Sequence, residues 1–101
     1  MSVMQAAAER YSWIEQWLAQ QLLGYSVDVL NREFVDAYAE ATGAPVQVMP
    51  YGADKCRQLG RDLSWMAAQG RLLRCRTGLC GMAGMGFPRW VWTYRLAGAQ
   101  R

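Results

Sequence analysis

Residues 52–96 read GADKCRQLGRDLSWMAAQGRLLRCRTGLCGMAGMGFPRWVWTYRL, and they set the order of the principal structural elements. The first part of this stretch predicts a helix over 54–69, because apolar residues recur there at helical spacing on one face. These residues are Cys56, Leu59, Leu63, Met66 and Ala67. We expect Asp54 to be the N-cap or a first-turn acid, and Gly70 to end the helix as a left-handed residue.

After Gly70 the sequence changes from a helical to an extended pattern. Residues 77–88 contain four glycines within nine positions, which excludes a regular helix or strand there. Residues 90–94, WVWTY, are aromatic or β-branched throughout, and this composition is typical of a strand. Residues 71–96 therefore predict a β-hairpin with a long glycine-rich tip.

This succession of helix, glycine, strand, tip and strand resembles the winged helix-turn-helix family of DNA-binding domains. The residues that match it are Leu59, Leu63, Gly70, Leu72, Arg74 and residues 90–96, and the resemblance spans residues 26–96. It implies a mainly α fold with a small antiparallel sheet, in which three helices accompany a wing of two or three strands. It also implies that the helix before the hairpin is the recognition helix and that the hairpin is the wing.

The length and the charge distribution of the chain limit how it can be organised. With 101 residues it is long enough for one hydrophobic core, so we expect a single domain over 1–101. Residues 1–50 hold two basic and six acidic residues, a net charge of −4, whereas residues 51–101 hold nine basic and two acidic residues, a net charge of +7. This split indicates a polyanion-binding surface on the second half. The alternative is that its arginines pair with carboxylates across the fold.

The composition argues against several other classes of protein. No segment approaches the ~20 consecutive apolar residues of a membrane span, and the start of the chain lacks the pattern of a secretory signal, so we expect a cytoplasmic protein. Three cysteines without histidine supply too few ligands for a structural zinc site, and their odd number argues against a disulfide framework. We therefore expect no metal and no cofactor.

The N-terminal segment predicts a helix over about 2–23 or 12–23. The later start would use residues 12–15, SWIE, which have the form of a capping box, and Gly24 would terminate the helix. Its apolar stripe includes Trp13 and Trp17. These two tryptophans belong either to the core or to a homodimer interface, since a long apolar N-terminal helix is a common dimerisation element in small winged-helix proteins.

A second helix is expected to begin at Ser26 and to end at Gly43, because apolar residues recur at helical spacing between them. Its outer face is acidic and consists of Asp28, Glu33, Asp36 and Glu40. This face must point away from any bound phosphate backbone. Residues 46–49 are expected either to form a short strand or to place two valines in the core. The connection over 43–53 is longer than the three or four residues that usually join the helices of this motif.

Long hydrogen-bond donors on the exposed face of the predicted recognition helix are candidates for contacting DNA bases or phosphates in the major groove. They are Arg57, Gln58 and Arg61, with Lys55 beside them, and Tyr51 before the helix is a candidate phosphate donor. The alternative is an ordinary solvated helix face with the same residue types.

The hairpin contains a second set of candidates. Alternation places Arg74 and Arg76 on one face of the first strand, where positive charge alone suffices for phosphate binding, and Arg89 flanks the return strand. The tip has no Lys or Arg between Thr77 and Pro88. It is therefore an apolar wedge between bases, a surface for a protein partner, or disordered.

Aromatic residues of this second half have two interpretations. Trp65 is off the apolar centre of its helix, and we expect the wing or the first helix to cover it. Trp90, Trp92 and Tyr94 share one strand face, where they belong either to the core or to a surface on which unpaired bases stack.

An enzymatic function is not expected, because without histidine no residues form a recognisable acid–base site, and residues 81–86 lack the strand and helix that flank a nucleotide-binding loop. The sequence therefore predicts sequence-specific binding of double-stranded DNA by a small transcriptional regulator of bacterial or phage type, acting as a homodimer. The alternative is a winged-helix protein-interaction module, such as a phage-encoded protein that binds a host component through the apolar tip. The basic second half favours DNA, whereas the acidic second helix and the uncharged tip favour the alternative.

Overall fold

A computed structural model of the chain describes residues 6–22, 25–50, 54–79 and 89–98. In this part of the chain the elements are the helices α1 (Ala7–Ala19), α2 (Arg32–Thr42) and α3 (Arg57–Ala68) and the strands β1 (Leu72–Gly78) and β2 (Trp90–Leu96). The strands are antiparallel, with Leu72 opposite Leu96 and Gly78 opposite Trp90. The predicted combination of three helices and a small antiparallel sheet is confirmed. Within the described ranges, no helix is long and apolar enough to span a membrane.

The end of α3 is the predicted one. Gly70 has a φ of 78°, in the left-handed region that favours glycine. Its N–H donates to the Ala67 carbonyl at 3.1 Å, and the Arg71 N–H donates to the Met66 carbonyl at 2.9 Å. These two bonds form a Schellman cap, which satisfies the last carbonyls of the helix. The chain therefore turns sharply out of α3 and enters β1 almost at once.

The start of α3 differs from the prediction. Asp54 neither caps the helix nor lies in its first turn, because the helix begins three residues later. The backbone of Lys55 is instead paired with Gln47, through two hydrogen bonds of 2.7 and 2.9 Å. The expected short strand over 46–49 is thus a single bridge, and of its two valines only Val46 packs against the core.

Helix α2 begins later than predicted, so the assignment of Ser26 as its cap is wrong. Asn31 caps it, because its side-chain oxygen accepts the Phe34 N–H at 3.1 Å. Ser26 cannot start a helix because the next residue, Val27, exchanges two backbone hydrogen bonds with Tyr94 of β2, at 2.9 and 2.7 Å. This bridge adds one residue to the free edge of the hairpin. The predicted end at Gly43 is confirmed by its φ of 74°.

Helix α1 matches neither of the two predicted extents, 2–23 and 12–23. It begins at Ala7, so Ser12 lies inside the helix and the capping box is wrong. The helix ends at Ala19, and the Gln21 side chain donates to the Trp17 carbonyl at 3.1 Å, which satisfies one of its last acceptors. The start near residue 2 and the stop at Gly24 fall outside the described residues.

The core joins one face of each helix to the base of the hairpin. Its most deeply buried side chains are Ile14, Phe34, Tyr38, Leu59, Leu63, Met66 and Leu72. Trp13 and Trp17 are partly buried and pack against it, with centroids 6.3 and 4.7 Å from that of Phe34. Core packing was one of the two alternatives for these tryptophans; the homodimer interface stays a prediction. Trp65 stacks on Tyr11 of α1 at 4.5 Å, so the first helix covers one of its faces.

A buried carboxylate connects the three helices. Asp62 of α3 is 3% exposed and accepts hydrogen bonds from Arg10 of α1, at 2.8 and 3.1 Å, and from the Tyr38 hydroxyl of α2, at 2.5 Å. The Gln58 amide donates to the same hydroxyl at 3.0 Å. Burial, together with the hydrogen bond to Asp62, raises the pKa of Tyr38, so its proton stays available for that bond. The carboxylate raises the pKa of Arg10 in turn.

Substitution of Asp62 by asparagine is expected to lower the free energy of unfolding by about 3 kcal/mol, because it removes the charge that compensates a largely buried guanidinium. Urea unfolding measures this loss. Asp36→Asn is the matched control, since Asp36 pairs with Arg32 at an exposed site and its loss is expected to have little effect. Equal effects of the two substitutions would contradict a structural role for the buried network.

Candidate nucleic-acid interface

The outward face of α3 is basic and includes no acid. Arg57, Gly60, Arg61 and Ser64 follow each other on this face, and Lys55 lies just before the helix. The side chains of Lys55, Arg57 and Arg61 are exposed. The first turn of α3 contains no acidic residue, and the side chain of its N-cap residue, Cys56, accepts no hydrogen bond from the helix. The positive end of the helix dipole and the three cations therefore act at the same place.

The hairpin contributes an aromatic face with arginines stacked on it. Tyr94 is buried at its base, and Trp92 and then Trp90 follow on the same face toward the tip. The Arg74 guanidinium lies 4.3 Å from the Trp92 ring centre, and the Arg76 guanidinium lies 4.2 Å from that of Trp90. The two indoles meet edge to face at 5.2 Å. We call these four residues, Arg74, Arg76, Trp90 and Trp92, the arginine–tryptophan ladder.

An open groove of about 930 Å³ lies between helix α3 and the hairpin. Its lining residues are Val29, Lys55, Arg57, Gly60, Arg61, Ser64, Trp90, Val91, Trp92 and Tyr94. No carboxylate is among them. A second depression of about 310 Å³ on the other side of the start of α3 is again lined by Lys55, Arg57 and Arg61. These three cations therefore dominate both surfaces beside α3.

Ion pairs are formed away from the groove. Glu15 holds Arg71 at 2.8 Å, which raises the pKa of that arginine, and Asp62 holds Arg10. Arg32 pairs with Asp36 at 3.3 Å and lies 3.9 Å from Asp54. Within the described residues, none of the cations of the groove or its ladder forms an ion pair: Lys55, Arg57, Arg61, Arg74 and Arg76. The alternative that arginines of the second half pair with carboxylates across the fold therefore holds for Arg71, but it does not hold for the cations of the groove and its ladder.

The remaining predicted contact residues have different positions. Gln58 is only partly exposed, and its amide donates a hydrogen bond to the Tyr38 hydroxyl, so one of its two N–H donors is already used inside the fold. Arg89 is exposed just before β2. Tyr51 and most of the tip, residues 80–88, lie outside the described residues. The exposed acids of α2, Glu33, Asp36 and Glu40, do not line the groove, and Asp28 precedes α2, where its side chain accepts the Leu30 N–H.

Two features of the groove were missed by the sequence analysis. The ladder depends on the register of the hairpin, although the spacing Arg-x-Arg opposite Trp-x-Trp could have indicated it. Gly60 was not singled out within the predicted helix, yet it lines the groove, and a Cβ atom built on it would meet nothing within 4 Å. The packing of the chain itself therefore does not require a glycine at position 60.

No protein-family model matches the chain, and neither a curated protein nor a solved structure is significantly similar to it. Its function has to be inferred from the geometry and chemistry of the groove.

Replacement of Gly60 by alanine is expected to raise the free energy of unfolding by about 0.5 to 1 kcal/mol, because alanine has the higher helix propensity and finds open space there. Gly70→Ala is the matched control. It also finds open space, but its φ of +78° costs an L-residue about 1 kcal/mol or more, so it should destabilise the protein. Urea unfolding of both variants measures the difference; a loss of stability in Gly60→Ala would contradict the open position of Gly60.

Proposed function

We propose that this protein binds double-stranded DNA as a small transcriptional regulator with a winged helix-turn-helix arrangement. In this proposal α3 is the recognition helix and the hairpin of β1 and β2 is the wing. The order of the elements supports it, as does the bridge of Val27 to Tyr94, which places a third short extended segment beside the hairpin. The proposal rests mainly on one observation. Lys55, Arg57 and Arg61 line one groove, Arg74 and Arg76 stack on two of its tryptophans, and none of the five has a carboxylate partner in the described residues.

The cations divide into two roles by their position. Arg57 and Arg61 project from one face of a helix that a major groove can admit, and a guanidinium there can donate two hydrogen bonds to the edge of a guanine. Arg74 and Arg76 are held on a strand beside it, where they would contact phosphates and orient the protein on the duplex. Lys55, at the start of α3, would contact the phosphate backbone beside the groove that α3 enters.

The homodimer remains part of the proposal. Trp13 and Trp17 pack against the core but stay partly exposed on α1, so a second copy could cover what is left of their surface. A two-fold dimer would read a two-fold DNA site, and the cytoplasm would be its compartment.

On a random duplex, which has no specific site for α3 to read, all five cations of the groove and ladder are expected to contact phosphates. Binding should then weaken steeply with salt, with a slope of log K against log salt of about −4.5. Fluorescence anisotropy at low and moderate salt measures this slope. On this random duplex the double variant Arg57→Ala/Arg61→Ala is expected to reduce the slope by about two, because it removes two phosphate contacts. On a duplex that contains the specific site, the same variant is expected to lose about 1 to 3 kcal/mol for each contact that reads a base.

A matched double variant separates local contacts from total charge. Arg32→Ala/Arg95→Ala also removes two positive charges, but Arg32 lies on α2 and Arg95 lies on the opposite face of the hairpin from the ladder. Its slope is expected to stay close to that of the unmodified protein. Equal losses in the two double variants, or no binding at low salt, would rule out the proposed interface and favour the protein-interaction alternative.

A further inference from the structure

The groove offers aromatic surface that paired bases cannot use. Trp90 is 37% exposed, although it is a large apolar residue on a small protein, and both it and Trp92 line the groove. The flat faces of bases inside a duplex are covered by their stacked neighbours. An indole can therefore stack only on a base that has left the helix or was never paired.

We propose that the groove between α3 and the hairpin binds a locally unpaired DNA strand. One base of this strand stacks on the part of Trp90 and Trp92 that lines the groove and that the guanidinium groups of Arg74 and Arg76 leave uncovered. This inference rests on the proposed function and names the kind of DNA that the site prefers. Within it, α3 and the hairpin hold the two sides of a single strand, and the duplex continues beyond the groove.

The ladder is suited to the phosphates of such a strand. The guanidinium groups of Arg74 and Arg76 lie over the indoles, which limits their motion and leaves their N–H edges available for an anion. Alternate residues of a strand are about 7 Å apart, which is of the order of the distance between successive phosphates in an extended nucleotide chain. Two consecutive phosphates can therefore be held at once.

The opposite wall of the groove leaves room for the strand. Gly60 lines the groove without a side chain, and outside its own helix no atom of the described chain lies within 4 Å of the place where a Cβ would be. A side chain at this position would improve the helix, so its absence is accounted for by the close approach of a ligand. Arg57 and Arg61 lie on either side of Gly60 along the helix and supply charge of the sign that phosphates require. At a locally unpaired site they contact the phosphates of this strand, in place of the guanine edges that they would read in a duplex.

Size and charge agree with this occupant. The volume of about 930 Å³ is at the upper end of the ~300 to 1,000 Å³ of ligand sites, and the groove is open, as a continuous strand requires. Its lining combines arginine and lysine with tryptophan and tyrosine, and no acid is among the described residues that form it. Proteins that bind single strands combine the same two properties, a positive groove and aromatic stacking surfaces.

The test compares two labelled DNA molecules at one salt concentration, a fully paired duplex and the same duplex with a short central run of T·T mismatches. Fluorescence anisotropy is expected to show at least about fivefold tighter binding of the mismatched duplex, the effect of stacking one base. Tryptophan fluorescence should be quenched by the mismatched duplex more than by the paired one.

Variants assign the preference to the groove. Trp90→Leu is expected to remove the preference for the mismatched duplex, because leucine keeps an apolar side chain but has no ring. Trp65→Leu is the matched control, since Trp65 is 43% exposed on α3 but stacks on Tyr11 and does not line the groove; it should retain the preference. Gly60→Ala should bind the mismatched duplex more weakly while its thermal midpoint rises, which excludes unfolding as the cause.

The outcomes separate this inference from the proposed function. Equal, salt-dependent binding of both duplexes would overturn the unpaired-strand site and leave duplex binding intact. A preference that survives in Trp90→Leu, or unchanged affinity in Gly60→Ala, would overturn the placement of the strand in this groove. Binding of neither duplex would overturn the proposed function and this inference together.

Discussion

The buried carboxylate of Asp62 is the constraint on which the arrangement of the three helices depends. A buried ion is costly unless it is fully compensated, and here the compensation comes from two other helices, through Arg10 of α1 and Tyr38 of α2. The helices therefore have to meet at one point, and α3 has to be rotated so that Asp62 faces inward. Arg57 and Arg61 are four residues apart and therefore share one face of α3. When Asp62 faces inward, this face is directed outward to the groove.

How much of the fold the sequence predicts depends on whether a feature is local. The α3 periodicity, its stop at Gly70 and the hairpin are properties of short segments, and the structure contains all three. The start of α2 is not local, because Val27 is held extended by Tyr94, almost seventy residues away. The start of α3 was misplaced for the same reason, since Lys55 pairs with Gln47. Hydrogen bonds between backbone groups that are distant in sequence therefore decide where these helices begin, even where a nearby residue has a strong preference for the N-cap position.

The site was predictable in its composition but not in its contacts. Periodicity was enough to place Arg57 and Arg61 on the outer face of a helix, and alternation was enough to put Arg74 and Arg76 together. It was not enough to show that Gln58 is bonded to Tyr38, or that Arg71 is held by Glu15, because both contacts join elements that only the folded chain brings together. The ladder needed the register of two strands, and a shift by one residue would have turned the tryptophans to the other face.

The distribution of ion pairs explains how so basic a groove is compatible with a stable fold and still suits the polyanion that we propose as its ligand. Of the two partly buried pairs, Arg71–Glu15 neutralises a cation of the second half, whereas Arg10–Asp62 removes one of its few acids, so the charge split along the chain persists in the folded protein. Like charges around the groove repel each other. Aromatic rings offset part of this repulsion at Arg74 and Arg76. A carboxylate would cancel the charge that it stabilised, but a ring leaves it in place. A groove stabilised by indoles therefore keeps its positive potential. If it binds DNA as we propose, the relief of repulsion on binding would stabilise the bound protein relative to the free one.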